Sequence, residues 1–524
     1  MTPEAFDWVH AHANRTPERT AVVDTATGDE LTYEAFDERA SRFADVLRNA
    51  LEVDPGARVT ILAHNGARYL EVLYGCAKAE TLYVALNWRL APPELEYVID
   101  DASPDVLVYD PAFADAVEQL RSRIDVDHYI SFGEPEHDDD RAYDAAMERA
   151  SGDRIRMPDR ERTDTWGLLY TSGTTGRPKG VRQTFDMVLY NALNIGIPTD
   201  LTARDTTLNV LPFFHTGGLN LYTNPTLIQG GTAIVQHSFD PGEALAILED
   251  RATVFFGVPA VYRALYDHPT FAERDLSSVR SWASGGAPLP VSLLEAYADH
   301  DIVIRQGMGM TETGPTVTLI DRERALEKAG SIGQASPFVR TRIVEVNGSG
   351  DGDGDDGDTG NAGTAETVPP GETGELQVKG PGVTPGYWNR PDAQEEAFTD
   401  GWLHTGDVAR RDEDGYLYII DRLKNMFISG GENVYPAEIE HALDEHDGIA
   451  EAAVVPVPND QWGEVGYAFV VPEPNADLDE DDVLAFCRGR LAGYKVPKTV
   501  DLIDELPRNA AGKIERPTLE ERAQ

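Results

Sequence analysis

Cysteine is nearly absent: Cys76 and Cys487 are the only two in 524 residues. Their spacing fits neither a metal knuckle nor a redox pair, so a disulfide framework is excluded and a reducing, cytoplasmic setting is expected. Lysine is scarce, with 8 in the chain. There is no run of about 18 apolar residues, so no integral membrane segment is expected. The N-terminus has no basic stretch followed by an apolar one, so no signal peptide is expected. Positive charge is heavily outweighed. The 45 Lys and Arg stand against 91 Asp and Glu, a formal net charge of −46. Such a surface repels phosphate backbones and anionic lipid, so no nucleic-acid partner is expected. The excess exceeds what solubility needs and points to adaptation to a salt-rich cytoplasm.

Composition is otherwise that of a globular protein, 41% hydrophobic and 26% charged, and the length allows several structural units. The first part alternates strand and helix patterns. Thr32 is placed as an N-cap, with Leu31 and Phe36 as a hydrophobic staple. Phe36, Ala40, Phe43 and Leu47 then recur at helical spacing. Strands are expected at 59–63 and 106–109, with helices at 69–78 and 113–120 after them. This alternation predicts an α/β fold with parallel sheets covered by helices. Between expected strands at 341–346 and 374–379 lies an acidic Gly/Asp insertion, 347–371. Asp351, Asp353 and Asp355 mimic the opening of a calcium loop. The sixth and twelfth positions are Asp356 and Ala362 rather than Gly and Glu, so a surface insertion is expected. From about residue 421 the pattern becomes a compact α+β unit, with helices at 437–443 and 481–491 and strands at 452–457 and 467–471.

One segment carries chemistry by composition. Leu168-Leu-Tyr-Thr-Ser-Gly-Thr-Thr-Gly-Arg-Pro-Lys-Gly-Val181 runs from an apolar strand into a loop of Gly, Ser and Thr that ends at Lys179. Glycines let backbone N–H groups approach a ligand, hydroxyls add donors, and lysine adds a point charge, which together make a phosphate cradle. It is not a P-loop, because Gly180 follows Lys179 where Ser or Thr is required.

The full string resembles the signature of the adenylate-forming superfamily, which includes acyl- and aryl-CoA synthetases, adenylation domains of nonribosomal peptide synthetases, and beetle luciferases. Further motifs follow in the family's order along nearly the whole chain. The resemblance implies ATP binding by Thr171, Ser172, Gly173, Thr174, Thr175, Gly176 and Lys179. Gln306-Gly-Met-Gly-Met-Thr-Glu-Thr313 resembles the second motif; it implies that Gln306, Gly307 and Met308 line the nucleotide site, Thr311 contacts the α-phosphate and Glu312 holds Mg²⁺. Met308 stands where the family carries an aromatic that stacks on adenine; a thioether still packs on a ring. Gly285, Gly286 and Ala287 resemble the adenine- and acyl-lining segment. Asp407, in Trp402-Leu-His-Thr-Gly-Asp407, and Arg422 match the ribose contacts. Lys424 matches the hinge. Ser429, Gly430, Gly431 and Glu432 match a turn at the pantetheine tunnel. Lys513 matches the lysine between substrate carboxylate and α-phosphate. His215 matches a position near the acyl pocket, and a packed core histidine is the alternative reading. Trp462-Gly-Glu464 is expected to pack within the small domain. Lys179, Lys424 and Lys513 are three of the 8 lysines, a concentration that favours function.

The resemblance implies a large N-terminal domain, 1–421, of helix-covered sheets with a small β-barrel-like part, and a small mobile α+β lid, 422–524. It implies an acid:CoA ligase using ATP, Mg²⁺ and coenzyme A, with Lys513, Thr311, Glu312 and His215 as catalytic residues. The carboxylate attacks the α-phosphate, and the thiol of coenzyme A then attacks the acyl-adenylate. Since both first reactants are anionic, catalysis means alignment plus charge neutralisation. Segments 85–90, 276–280 and 340–343 look most like ligases of medium- or long-chain fatty acids. An aryl-acid:CoA ligase or a stand-alone acid:carrier-protein ligase is the alternative, with a non-catalytic nucleotide-binding regulator more remote. No carrier domain is expected after Lys513. The sequence leaves the oligomeric state open, a homodimer included.

Overall fold

The computed structural model describes residues 4–523 except 172–177, 346–366, 430–431, 460–461, 475, 477, 492 and 510–511. Ser172, Gly173, Thr174, Thr175, Gly176, Gly430, Gly431 and most of the acidic insertion therefore lie outside the described residues. The chain forms two compact units, one of 1–341 with 378–403, the other of 342–377 with 404–524. This division falls elsewhere than the expected one at 421/422. The strand Trp402–Arg411 pairs with Leu417–Arg422, which groups residues 404–422 with the C-terminal part.

The first unit holds two sheets. In spatial order the seven-stranded sheet runs Arg141–Ala142, His128–Ser131, Val106–Tyr109, Arg58–Leu62, Leu82–Ala85, Thr165–Thr171, Lys179–Thr184. All its pairings are parallel except the last. Val106–Tyr109 and Leu82–Ala85 are buried at every position, as strands covered on both faces must be. The helix Ala67–Ala79 makes the crossover between Arg58–Leu62 and Leu82–Ala85. Thr32 Oγ1 accepts the Ala35 amide at 3.2 Å, the expected cap. Beneath the seven-stranded sheet, Trp166 stacks on Phe185 at 5.6 Å and meets Tyr83 edge-on, also at 5.6 Å.

The nine-stranded sheet runs Gln334–Ala335, Thr316–Leu319, Ile304–Gly309, Ser281–Ser284, Val254–Gly257, Thr206–Asn209, Thr232–Val235, Thr20–Asp24, Glu30–Thr32. Its six central strands are parallel. The N-terminal helix Trp8–Arg15 is fastened by a buried charge cluster. Lys78 Nζ lies 2.7 Å from Asp37 and 2.8 Å from Asp7, with Arg154 Nε 2.7 Å from Asp37.

The strands Arg340–Val344, Thr373–Lys379, Trp402–Arg411 and Leu417–Arg422, most of whose residues belong to the second unit, lie in one open sheet with the short strand Phe398–Thr399. A second sheet orders Glu432–Val434, Phe427–Ser429, Gly463–Pro472 and Ile449–Asn459, with Thr499–Leu502 parallel to Gly463–Pro472. The helices Pro436–Asp444 and Glu480–Arg488 cover it through a core of Phe427, Val434, Ile439, Leu443, Val454, Ala468, Val483 and Cys487. This is the expected α+β unit.

Candidate active site

The phosphate-cradle sequence closes a hairpin. Thr171 is paired with Lys179 at the end of the antiparallel Thr165–Thr171 and Lys179–Thr184 strands, so both ends of the Gly/Ser/Thr loop are fixed. A third segment lies along the hairpin: Trp388 N donates to Gly180 O at 2.7 Å, and Val181 bridges Tyr387. Lys179 Nζ sits 5.4 Å from the centroid of the Tyr387 ring, a cation–π distance. The Tyr387 hydroxyl donates to Glu312 Oε1 at 3.0 Å. Burial and the Glu312 charge push the Tyr387 phenol far up, so it remains a neutral donor. Glu312 is only 7% exposed. Its segment is anchored by Thr384 N donating to Glu312 O at 2.8 Å and Gln183 Nε2 to Thr311 O at 3.1 Å.

Sheet order brings the other motifs beside this assembly. Ser284 and Gln306 are register partners on adjacent parallel strands, so Gly285–Ala287, which follow the first strand, lie beside Gln306–Met308, which continue the second. A side chain at Gly285 would put its Cβ 2.9 Å from Gly307 O, so only glycine allows this approach. Gly314, at φ +87°, ends the Thr311–Thr313 turn, and a Cβ there would lie 3.0 Å from Gly382 O. Met308 is half-buried, its amide bonded to Thr318 Oγ1 at 3.1 Å. The register shifts between Met308 and Gly309, a bulge of the kind that re-aims side chains.

The second unit gathers the remaining predicted residues. Asp407 and Arg422 are opposite one another on paired strands, with Arg422 Nε 2.7 Å from Asp407 Oδ1. Asp407 is 4% exposed. Burial pushes its carboxyl up to about 6; Arg422 and Lys513 counter this in part, while Asp421 and Glu375 add to it. Lys513 and Lys424 are both exposed. Partial desolvation lowers both amines, and cations push the same way, Arg422 and Lys424 on Lys513, Arg422 and Arg516 on Lys424. This local concentration of positive charge stands out in so acidic a chain. Asp421 ties the segment to a helix: Oδ1 accepts from Arg422 N at 2.6 Å and Asn425 Nδ2 at 3.1 Å, and Oδ2 from Ala437 N at 2.7 Å. Ser429 is 1% exposed, and its Oγ has no hydrogen-bond partner among the described residues. Ser429 and Glu432 are register partners.

The predicted residues thus fall into two groups, one in each unit. His215 is exposed, beside Phe214 at 4.4 Å between ring centroids, in the loop before the Gly217–Thr223 helix, which sets aside the alternative of a packed core histidine. One expectation needs correction. Trp462 is 38% exposed, with Lys498 Nζ 5.7 Å from its ring centroid, so it does not pack in the small unit's core. Tyr387, Gln183 and Asp421 escaped sequence reasoning. For Tyr387 the only signal is a Gly-Tyr-Trp run, which by itself marks a turn.

Profiles of two families match the chain: AMP-binding enzyme over residues 9–388 and AMP-binding enzyme C-terminal domain over 438–513. The chain is 41% identical over 508 residues to a feruloyl-CoA synthase of Amycolatopsis, covering 97% of this chain and 96% of that protein. It is 36% identical to a long-chain-fatty-acid–CoA ligase of Mycobacterium tuberculosis, with coverage of 97% and 96%. Among solved structures it resembles the o-succinylbenzoate CoA synthetase of Bacillus subtilis in complex with its acyl-adenylate intermediate. There the TM-score is 0.85 and the identity 30%, with 99% and 98% of the two chains covered. The matched profile spans well over half of the sequence, and the chain belongs to the AMP-binding enzyme family.

Proposed function

We propose that this protein is an ATP-dependent acid:CoA ligase that forms an acyl-adenylate with release of pyrophosphate, then an acyl-CoA and AMP. The observation that carries this reading is the Lys179–Tyr387–Glu312 assembly beside the hairpin that closes the Gly/Ser/Thr loop. Lys179 and the loop amides neutralise phosphate charge. Glu312, a buried carboxylate oriented by a neutral phenol, is a hard-oxygen ligand suited to Mg²⁺, which when bound supplies further neutralisation. Asp407 accepts from ribose hydroxyls beside Arg422. Lys513 offsets the charge of the attacking carboxylate and the α-phosphate. Lys424 acts as the hinge between half-reactions, and the boundary of the moving part lies near residue 422. The thiol must come from outside. Cys76 and Cys487 are buried, and desolvation pushes their thiols up to about 12 and about 11, so neither is a nucleophile at neutral pH.

For the acid, the reading taken is a compact aromatic carboxylate rather than a long aliphatic chain. Phe256 lies 3.5 Å from where a side chain at Gly285 would begin. Phe256 packs in turn against a buried cluster of Ile195, Leu201, Tyr222, Val254, Ala283 and Leu319. The 41% identity to a feruloyl-CoA synthase supports the same class. A fatty acid is the second reading, supported by the fatty-acid–CoA ligase relative. The test is pyrophosphate release with ATP, Mg²⁺ and CoA across ferulate, cinnamate, benzoate, acetate, octanoate and palmitate. The highest kcat/KM is expected on the aromatic acids. A maximum on palmitate transfers the assignment to fatty acids, and silence on every acid with ATP still bound removes the ligase reading.

A further inference from the structure

Two clusters of the described residues group carboxylates with histidine closely enough to share an ion: Asp7, His10 and Asp37, and His64, Asp110 and His237. The first already holds cations, since Lys78 and Arg154 are paired with its carboxylates. The second holds no lysine or arginine ion pair among the described residues. The sole ion-pair neighbour of Asp110 among the described residues is His64, at 3.9 Å between Nδ1 and Oδ2.

We propose that His64, Asp110 and His237 form a site for one divalent cation of the zinc class. The three residues come from separate elements. His64 follows the strand Arg58–Leu62 by two residues, Asp110 directly follows Val106–Tyr109, and His237 follows Thr232–Val235 by two. One ligand atom from each lies within 4.8 Å of the others. Each residue is prepared for this role. His64 Nδ1 is buried and makes no hydrogen bond. Its ring is held between Trp88 at 4.7 Å and Phe113 at 4.8 Å. His237 Nδ1 lies 3.1 Å from the Asn65 carbonyl. A carbonyl only accepts, so Nδ1 carries the proton and Nε2 keeps its lone pair, the arrangement that orients histidine ligands at metal sites. Asp110 Oδ1 accepts the Ala112 amide at 2.9 Å, which fixes the carboxylate with Oδ2 toward His64.

Dimensions and chemistry agree. Ligands at about 2.0–2.1 Å from a tetrahedral ion are about 3.3 Å apart, so the 3.9 Å separation of His64 Nδ1 and Oδ2 closes on an ion with a small side-chain rotation. Two imidazoles and one carboxylate suit Zn²⁺, Co²⁺ or Ni²⁺ and discriminate against Mg²⁺, which prefers oxygen alone. The site sits where the two sheets of the first unit meet. His64 and Asp110 leave the seven-stranded sheet, and His237 leaves the nine-stranded one. Asn65 spans the same seam, accepting from Phe213 N at 2.9 Å and donating to Leu211 O at 2.9 Å. A bound cation therefore fastens the loop that leads to His215.

The experiment is a Co²⁺ titration of the chelator-stripped full chain without nucleotide, followed by visible absorption and calorimetry. One Co²⁺ per chain is expected, with the ligand-field bands of a tetrahedral site, displaced by Zn²⁺ and unaffected by Mg²⁺. His64→Gln and His237→Gln should each weaken binding at least about tenfold, with metal-free melting and pyrophosphate release retained. Asp110→Asn supplies the same test should either histidine variant fail to fold. Zn²⁺ should raise the melting temperature of the parent and not of the variants. Absence of saturable Co²⁺ binding, or binding unchanged in folded variants, overturns the proposal.

Discussion

Asp407 is 4% exposed, yet Arg422 Nε lies 2.7 Å from its carboxylate. Desolvation outweighs that attraction and raises its pKa to about 6. The folded chain therefore holds this proton more tightly than the unfolded chain, whose aspartates titrate near about 3.9. The associated stability is complete below about pH 4 and is lost as pH rises through about 6. Ionised Asp407 thus costs the free protein about 3 kcal/mol at neutral pH. This cost suits the role proposed for Asp407, a carboxylate that accepts from ribose hydroxyls. Adenosine, which has no phosphate to titrate, should bind about tenfold more weakly at pH 5 than at pH 8, with the break near 6. Calorimetry across that range checks this. Asp407→Asn should bind weakly with no break. A break near 4 in the parent would show that burial does not control this carboxyl.

At the scale of elements, much of the fold was legible because burial is periodic. The readings at 106–109, 69–78 and 437–443 correspond to the strand Val106–Tyr109 and the helices Ala67–Ala79 and Pro436–Asp444. Partners were not legible. Thr20–Asp24 pairs with Thr232–Val235 across more than two hundred residues, and a local period does not encode a neighbour. The second strand of the hairpin, Lys179–Thr184, escaped because Lys-Gly-Val-Arg-Gln-Thr has no clean alternation. The site shows the same split. Glycines and charges announce a phosphate cradle locally, but Tyr387 reaches Glu312 only through tertiary placement. Asp421 is a long-range tie of this kind. The helix Pro436–Asp444 opens on Pro436, which has no N–H, so Ala437 N is the first donor that needs a partner, and Asp421 supplies it at 2.7 Å. Asp421→Ala removes that cap and the bonds to Arg422 N and Asn425, at a cost of about 2 kcal/mol. The second unit should melt about 4–8 °C lower, with Asp421→Asn intermediate. Calorimetric scans of the two variants check this, and an unchanged transition would mean that solvent replaces the carboxylate.

The whole molecule carries a formal charge of −46, and this has to be reconciled with a reaction between anions. The reconciliation is local. Desolvation depresses Lys424 and Lys513, and neighbouring cations add to it, Arg422 and Arg516 at Lys424 and Arg422 and Lys424 at Lys513, so positive potential is concentrated where the acidic surface would otherwise dominate. Elsewhere the excess carboxylates repel one another, and compaction brings them closer than the unfolded chain does. Salt should therefore stabilise the fold. The screening length falls from about 10 Å at 0.1 M to about 3 Å at 1 M, so most of the gain should come early in a titration. Salting-out of apolar surface behaves differently, growing steadily with concentration. In potassium chloride from dilute buffer to molar concentrations, the melting temperature should rise steeply at first and then less steeply. Sucrose, which is excluded from the surface but does not screen, should give a shallow rise with no early phase. A melting temperature that is flat or falls in potassium chloride would mean that the negative charges are spaced widely enough not to strain the folded state, and adaptation to a salt-rich cytoplasm would lose its physical basis.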